Sequence, residues 1–129
     1  MRKLILILLM SSTATGFSQN FSLAIHGGSG RLLEKNFSDE RKEKYLLALD
    51  SALEVGYQIL ADSGTSVEAC EGVVKFLEDN PLFNAGKGSV FNSNGEHEMD
   101  AAIMDGSTLK AGSVSGVKSA KNPIEVARK

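Results

Sequence analysis

The spacing of apolar residues changes near Ser89, and this change limits the classes of fold open to the chain. Over residues 38–80 apolar side chains recur every three or four positions, which is typical of amphipathic helices. After Ser89 they alternate with polar residues, which is typical of strands buried on one face. A short apolar run at residues 21–25 predicts one further, buried strand. The predicted order is a strand, two helices and an antiparallel meander, so we expect an α+β fold rather than a doubly wound parallel sheet.

Capping residues mark the ends of the two predicted helices. Ser38 is a suitable N-cap for the first helix, and Gly64 suits its C-terminal end. Thr65 and Glu68 have the spacing of a capping box at the start of the second helix. Pro81 ends that helix, because the residue before a proline is disfavoured in the helical conformation. The short turn between the helices predicts antiparallel packing.

Each predicted helix has one apolar face that we expect to be buried. In the first helix this face comprises Tyr45, Leu46, Leu49, Leu53, Ile59 and Leu60. In the second it comprises Val67, Cys70, Val73, Val74 and Leu77. Cys70 is the only cysteine of the chain, and its place on this face predicts a buried structural thiol rather than a reactive one.

Turn signals divide the later part of the chain. Asn94 and Gly95 separate "SVF" from "EHEMDAAIM", and this pair predicts a hairpin. The turn "DGST" then leads to a further strand, "LKAGSVSGV". In "NPIEVARK", Asn122 as N-cap and Pro123 at the first helical position predict the start of another helix.

The first residues are typical of an export signal. Arg2 and Lys3 precede an apolar run at residues 4–10, far shorter than the ~20 residues of a membrane-spanning helix. Small residues before Gln19 indicate a cleavage site. We therefore expect residues 1–18 to be a signal peptide and residues 19–129 the mature domain of a periplasmic or secreted protein, with no membrane span.

The charge balance and the glycine-rich stretches argue against nucleic acid and nucleotides. A net charge of −2 leaves no basic stripe for nucleic acid. After "HGGSG" at residues 26–30, the dinucleotide fingerprint requires a glycine where Leu33 stands. In "NAGKGS", Lys87 is followed by Gly88 rather than by Ser or Thr, so this stretch is not a phosphate-binding P-loop.

Metal chemistry through side chains is equally poorly supported. His97 and Glu98 begin a zinc-protease motif, but Ala101 stands where its second histidine is required. Main-chain oxygens of the irregular loop at residues 77–88 could still bind a hard cation. On the residues alone, the glycines and carboxylates are best explained as turns and close backbone contacts.

Three motifs taken together resemble one family. They are "AIHGGSG", "NPLFNAGKGSVFNSNGEHEMDAAIMDGSTLKAGSVSGV" and "NPIEVARK", and they follow in this order up to the last residue. The set closely resembles the plant-type L-asparaginase/isoaspartyl peptidase family of threonine-type N-terminal-nucleophile hydrolases. The resemblance implies the N-terminal part of an α subunit, and hence an incomplete N-terminal portion of an αββα sandwich.

The resemblance also implies an activity. Members are made as precursors that cleave themselves, and the new N-terminal threonine of the β subunit is the nucleophile, with its own α-amine as base. They hydrolyse β-aspartyl amide bonds in L-asparagine and β-aspartyl dipeptides. No residue of this chain matches that threonine, so we predict no catalytic residue here and expect the chain alone to be inactive.

Two groups of site residues are implied by the same resemblance. Supporting roles beside the nucleophile fall on Gly27, Gly28, Gly30 and Asn84. A structural sodium ion is implied at a loop that binds it through main-chain oxygens. The residues of that loop are Leu77, Glu78, Asn80, Phe83, Ala85 and Lys87. No organic cofactor is implied.

The implied partners are a small-molecule substrate, the protein's own C-terminal or β-subunit portion, and a second αβ unit in a homodimer. Nucleic acid is not among them. Three alternatives stay open: a non-enzymatic exported domain for binding or dimerisation, a glycosylasparaginase-like amidohydrolase, and an enzyme with Ser29 or Ser89 as nucleophile.

Overall fold

The computed structural model describes residues 21–28 and 38–129. Its elements are helix α1 (Asp39–Ala61), helix α2 (Ser66–Asp79), a 3-10 turn (Gly86–Gly88), strand β1 (Met99–Asp105), strand β2 (Lys110–Val117) and helix α3 (Pro123–Ala127). This order confirms the α+β class. The predicted signal peptide lies outside the described residues, and the four-layered sandwich stays a prediction.

Local capping bonds form where the sequence predicts them. The Ser38 hydroxyl accepts a hydrogen bond from Arg41 N at 3.3 Å at the start of α1. At the start of α2, Glu68 N donates to Thr65 Oγ1 at 3.2 Å and Thr65 N donates to Glu68 Oε2 at 2.7 Å, which completes the capping box. Gly64 N donates to Ile59 O at 2.8 Å beyond the end of α1.

Helices α1 and α2 pack against each other through small residues. A Cβ atom at Gly56 would lie 2.7 Å from a Val73 methyl group, and one at Gly72 would lie 2.6 Å from Ile59 Cδ1. On α1 the buried residues are Ala48, Ala52 and Gly56, which recur every four positions. This stripe of small side chains allows the two backbones to approach closely.

Two expectations about the helix faces were wrong. Leu46 is 58% exposed and Cys70 is exposed, although both were predicted to be buried. The face of α1 that packs is the small-residue stripe, so the bulkier Leu46 lies outside it. Cys70 follows the buried Ala69, and one residue turns a helix by about 100°, which carries the thiol out of the interface.

The buried strand predicted at residues 21–25 is also not found. The segment is half-buried at alternate positions, but none of the described residues pairs with it as a strand. Leu23 packs on Gly56, and the rings of Phe21 and Tyr57 lie 5.6 Å apart. Packing against α1 therefore holds the segment, without the ladder of hydrogen bonds that defines a strand.

Strands β1 and β2 form a two-stranded antiparallel sheet. Their register runs from Met99 opposite Val117 to Asp105 opposite Lys110, with a bulge between Met99 and Ala101. The hairpin predicted before them is shorter than expected. It reduces to a single bridge between Phe91 and His97, so "SVF" is not a regular strand.

None of the helices in the described part of the chain combines the length and the apolar character of a membrane-spanning segment.

Helix α3 connects the sheet to α2. Pro123, Ile124 and Ala127 are buried, and Pro123 occupies the first helical position as predicted. Asn122 stands at the N-cap position but makes no capping bond, and its side chain donates to Asp79 Oδ1 at 3.1 Å. Ile124 N instead donates to the carboxylate of Glu78 at 3.1 Å. The cap is thus supplied by α2.

We predict that Gly112→Ala destabilises the intact protein by about 1–3 kcal/mol, because the added Cβ would overlap the main-chain oxygen of Ala127 and push α3 off β2. The measurement is the free energy of unfolding in urea. Gly106→Ala is the matched control, since nothing lies within 4 Å of a Cβ there. Equal stabilities of the two variants would contradict the packing described here.

Candidate functional site

The described residues 26–28 of the glycine loop "HGGSG" lie beside the loop that contains Asn84. A Cβ at Gly27 would be 3.0 Å from Leu49 Cδ2 and 3.2 Å from Phe83 Cε1. Gly28 has a φ of 99°, which an L side chain rarely adopts, and its N–H donates to His26 Nδ1 at 3.1 Å. The chain therefore brings two predicted supporting segments together. Gly30, the remaining glycine of that prediction, lies outside the described residues.

Asn84 has one half of its amide group fixed. Its Oδ1 accepts a hydrogen bond from Val90 N at 2.9 Å. Because a main-chain N–H can pair only with the amide oxygen, this contact determines which way the amide faces. Within the described part of the chain no hydrogen bond reaches Asn84 Nδ2, and the residue is exposed. The NH₂ group is therefore available as a donor.

Two residues that the sequence singled out only separately meet on the next segment. Ser89 Oγ and His97 Nδ1 share a hydrogen bond of 3.0 Å, and the rings of Phe91 and His97 have centroids 4.1 Å apart. The Asn94-Gly95 turn signal already indicates that residues on either side of it pair. It does not indicate which side chains meet, because that depends on the register.

The loop after α2 is held by its own main chain. Leu77 O accepts from Asn80 N at 3.2 Å, Asn80 O accepts from Phe83 N at 3.3 Å, and Ala85 O accepts from Gly88 N at 3.0 Å. The Tyr45 hydroxyl donates to Leu82 O at 2.7 Å, and its ring meets Phe83 edge-on with centroids 5.7 Å apart.

Residues 77–88 form a carbonyl loop, in which several main-chain oxygens converge on the glycines. A Cβ at Gly86 would overlap Glu78 O, and one at Gly88 would overlap Phe83 O and lie 2.8 Å from Pro81 O. Oxygen atoms are the ligands that hard cations prefer, and a carbonyl that accepts one hydrogen bond retains a second lone pair. The donor chemistry of the loop therefore fits a hard cation. No cluster of three acidic, histidine or cysteine residues that could hold a metal occurs in the part of the chain described.

Glu78 is a buried carboxylate beside these carbonyls. Its side chain is 3% exposed, Oε1 accepts from Ile124 N, and Oε2 has no hydrogen-bond partner among the described residues. Burial raises the pKa of this carboxyl, because the charged form loses hydration. The neighbouring Asp79 has a lowered pKa, because Lys121 and Asn122 donate hydrogen bonds to it.

Comparison with known proteins decides the family. The family model described as Asparaginase matches residues 19–129. The chain belongs to this family. It is 50% identical over 106 residues to the isoaspartyl peptidase/L-asparaginase of Homo sapiens and 42% identical over 106 residues to the isoaspartyl peptidase of Escherichia coli. Over 108 residues it is 46% identical to the plant-type L-asparaginase of Pyrococcus horikoshii. These alignments cover 82%, 82% and 84% of this chain.

The comparisons confirm the predicted family, whose members are named as enzymes. The asparaginase-family chain spans about a third of the length of the curated relatives it matches, with 33% of the human protein and 34% of the P. horikoshii protein covered. The roles of the glycine loop, of Asn84 and of the carbonyl loop stay predictions. Their positions show that these segments are neighbours.

We predict that the stability of the intact protein relative to its Glu78→Gln variant falls as the pH rises. The folded state holds the Glu78 proton more tightly than the unfolded chain does. The contribution of Glu78 is therefore most favourable below the ordinary carboxyl pKa and is lost as the pH rises through the raised pKa. Glutamine retains an oxygen for Ile124 N but does not titrate.

The free energy of unfolding of both proteins is measured against pH. Tetramethylammonium is the only cation in the buffer, because it is too large to bind at an oxygen-lined site. A difference between the two proteins that does not change with pH would contradict the prediction.

Proposed function

We propose that this chain is the N-terminal part of an isoaspartyl peptidase/L-asparaginase, and that the whole protein hydrolyses β-aspartyl amide bonds. The observation that carries the proposal is the 50% identity over 106 residues to the human isoaspartyl peptidase/L-asparaginase. L-Asparagine would yield aspartate and ammonia, and a β-aspartyl dipeptide would yield aspartate and an amino acid.

In the proposed mechanism the chain supplies the surroundings of the nucleophile. An N-terminal threonine, generated by self-cleavage outside this chain, attacks the amide carbon while its own α-amine takes the hydroxyl proton. The NH₂ group of Asn84 provides a hydrogen-bond donor beside that threonine. The backbone at Gly27 and Gly28 comes close to the site because neither residue has a side chain. On this proposal residues 1–129 alone do not hydrolyse substrate.

The remaining portion of the protein is the proposed partner of the sheet. Phe91 is 67% exposed and Leu109 is 73% exposed, and the described sheet has only two strands. Exposed large apolar side chains favour contact with further polypeptide, and so do the outer edges of a two-stranded sheet, which have no pairing strand among the described residues. We propose that the β-subunit portion and a second αβ unit complete the assembly.

Export is proposed from the first residues. The cationic residues Arg2 and Lys3, the apolar run at residues 4–10 and the small residues before Gln19 support a cleaved signal peptide.

One preparation of the full-length protein tests these proposals. We expect N-terminal sequencing to find one polypeptide that begins at Gln19 and a second that begins with threonine, and we expect aspartate to be released from L-asparagine or a β-aspartyl dipeptide. A polypeptide that is correctly folded but remains uncleaved and inactive would favour the non-enzymatic alternative. Release of aspartate only from sugar-linked asparagine would favour the glycosylasparaginase-like alternative.

We further propose that the carbonyl loop holds a structural sodium ion. The oxygens of Leu77, Glu78, Asn80, Phe83, Ala85 and Lys87 would hold it. The ion would supply positive charge beside the buried Glu78 carboxylate, whose Oε2 otherwise has no hydrogen-bond partner in the described part of the chain. Its role in this proposal is to order the loop next to Asn84.

We predict that sodium stabilises the full-length protein over tetramethylammonium at equal ionic strength, by about 1.4 kcal/mol when sodium is roughly ten times its Kd. Thermal unfolding measures the effect. Gly88→Ala should abolish the response, because the new Cβ would displace the carbonyls of Phe83 and Pro81. Gly106→Ala, where space is open, should retain it. Identical unfolding in the two salts would count against the site.

A further inference from the structure

The orientation of Asn84 depends on one main-chain group. The amide oxygen of Asn84 is held only by Val90 N, at 2.9 Å, among the contacts of the described residues. If Val90 N moves, the amide is free to rotate, and its NH₂ donor no longer points in one direction. The position of the Val90 backbone therefore decides how Asn84 presents its donor.

Packing of the Val90 side chain cannot hold that backbone in place. Val90 is 65% exposed, so few apolar contacts restrain it. Its two neighbours, however, are both attached to one residue. Ser89 shares a hydrogen bond of 3.0 Å with His97 Nδ1. The Phe91 ring lies against the His97 ring with centroids 4.1 Å apart and a tilt of 37°, and the two residues also pair in a β-bridge.

We propose that Ser89 and His97 are positioning residues, which fix the Val90 backbone and through it the amide of Asn84 beside the nucleophile. The inference rests on the proposed function and extends it to two residues that do not touch substrate. Small displacements of a group near the reacting atoms lower the rate of the chemical step, because the productive geometry is populated less often.

A purely structural hairpin contact would have different consequences. It would change stability and leave turnover unaltered once the protein is folded. A positioning role lowers kcat with little change in KM, since the interaction acts on the reacting geometry rather than on uniform substrate binding. The exchange rate of the Val90 amide hydrogen reports on the Asn84 contact itself, whether or not the protein is active.

The experiment uses four variants of the full-length protein. Ser89→Ala removes the hydroxyl, and His97→Phe removes the ring nitrogen while keeping an aromatic ring against Phe91. His97→Asn places a polar atom on the same carbon that carries Nδ1, so it can restore the bond to Ser89. Ser93→Ala is the matched control, because Ser93 is exposed in the same turn and its side chain makes no hydrogen bond to any of the described residues.

We expect Ser89→Ala and His97→Phe to raise the Val90 exchange rate about fivefold and to lower kcat for a β-aspartyl dipeptide about five- to tenfold. Ser93→Ala should keep both the Val90 exchange rate and kcat within about twofold of the parent protein, and His97→Asn, which can restore the bond to Ser89 but lacks the ring that meets Phe91, should fall between the parent protein and His97→Phe. The double variant Ser89→Ala/His97→Phe should have a Val90 exchange rate no higher, and a kcat no lower, than the single variants, because each single substitution already removes the same contact.

Other outcomes overturn the inference. These are unchanged Val90 exchange in the two disruptive variants, faster exchange with unaltered kcat, or a His97→Asn variant as impaired as His97→Phe. Complete loss of activity in Ser89→Ala with normal Val90 exchange would instead identify Ser89 as a nucleophile. A full-length parent protein that hydrolyses no β-aspartyl substrate overturns the proposed function, and the Val90 exchange rates then decide the positioning contact by themselves.

Discussion

The buried carboxylate of Glu78 is the contact on which the other parts of this structure depend. Its side chain accepts a hydrogen bond from Ile124 N, and its main-chain oxygen lies against Gly86. Helix α2, helix α3 and the carbonyl loop therefore meet at one residue. A buried, incompletely paired carboxylate is unfavourable in isolation, so its presence here has to be offset by the elements that it joins.

Helix α3 transmits this junction to the sheet. It is only five residues long and would not be stable alone in water. Its main-chain N–H is bonded to Glu78, its residues Ile124 and Ala127 are buried, and the Ala127 oxygen packs on Gly112 of β2. The two-stranded sheet, itself marginal without a packing partner, is thereby attached to α2.

The same arrangement places the candidate site. The carbonyl loop includes the last turn of α2, continues beyond Asp79 and passes Phe83, which contacts both Tyr45 and Gly27. Asn84 follows directly and is held by the main chain of the hairpin. The candidate site therefore lies where the glycine loop, the carbonyl loop and the hairpin meet, next to the junction at Glu78. Because the carbonyl loop begins at this junction, a shift there would move Asn84 together with the proposed cation ligands.

The sequence by itself determined the local features and the family. The caps at Ser38 and Thr65 and the helix start at Pro123 were predicted correctly, because each depends on atoms within a few residues along the chain. The long matching motifs identified the asparaginase family, and the comparisons confirmed it. The spacing of apolar residues was sufficient for the α+β class.

Only the tertiary structure decided which side chains are buried and which residues meet. The exposure of Leu46 and Cys70, the absence of pairing for residues 21–25 in the described chain, and the cap that Glu78 provides to a residue 46 positions away all depend on distant neighbours. Periodicity shows that a helix has an apolar side, but not which part of it the next element covers. Ser89 and His97 meet for the same reason, because hairpin register is a property of the folded backbone.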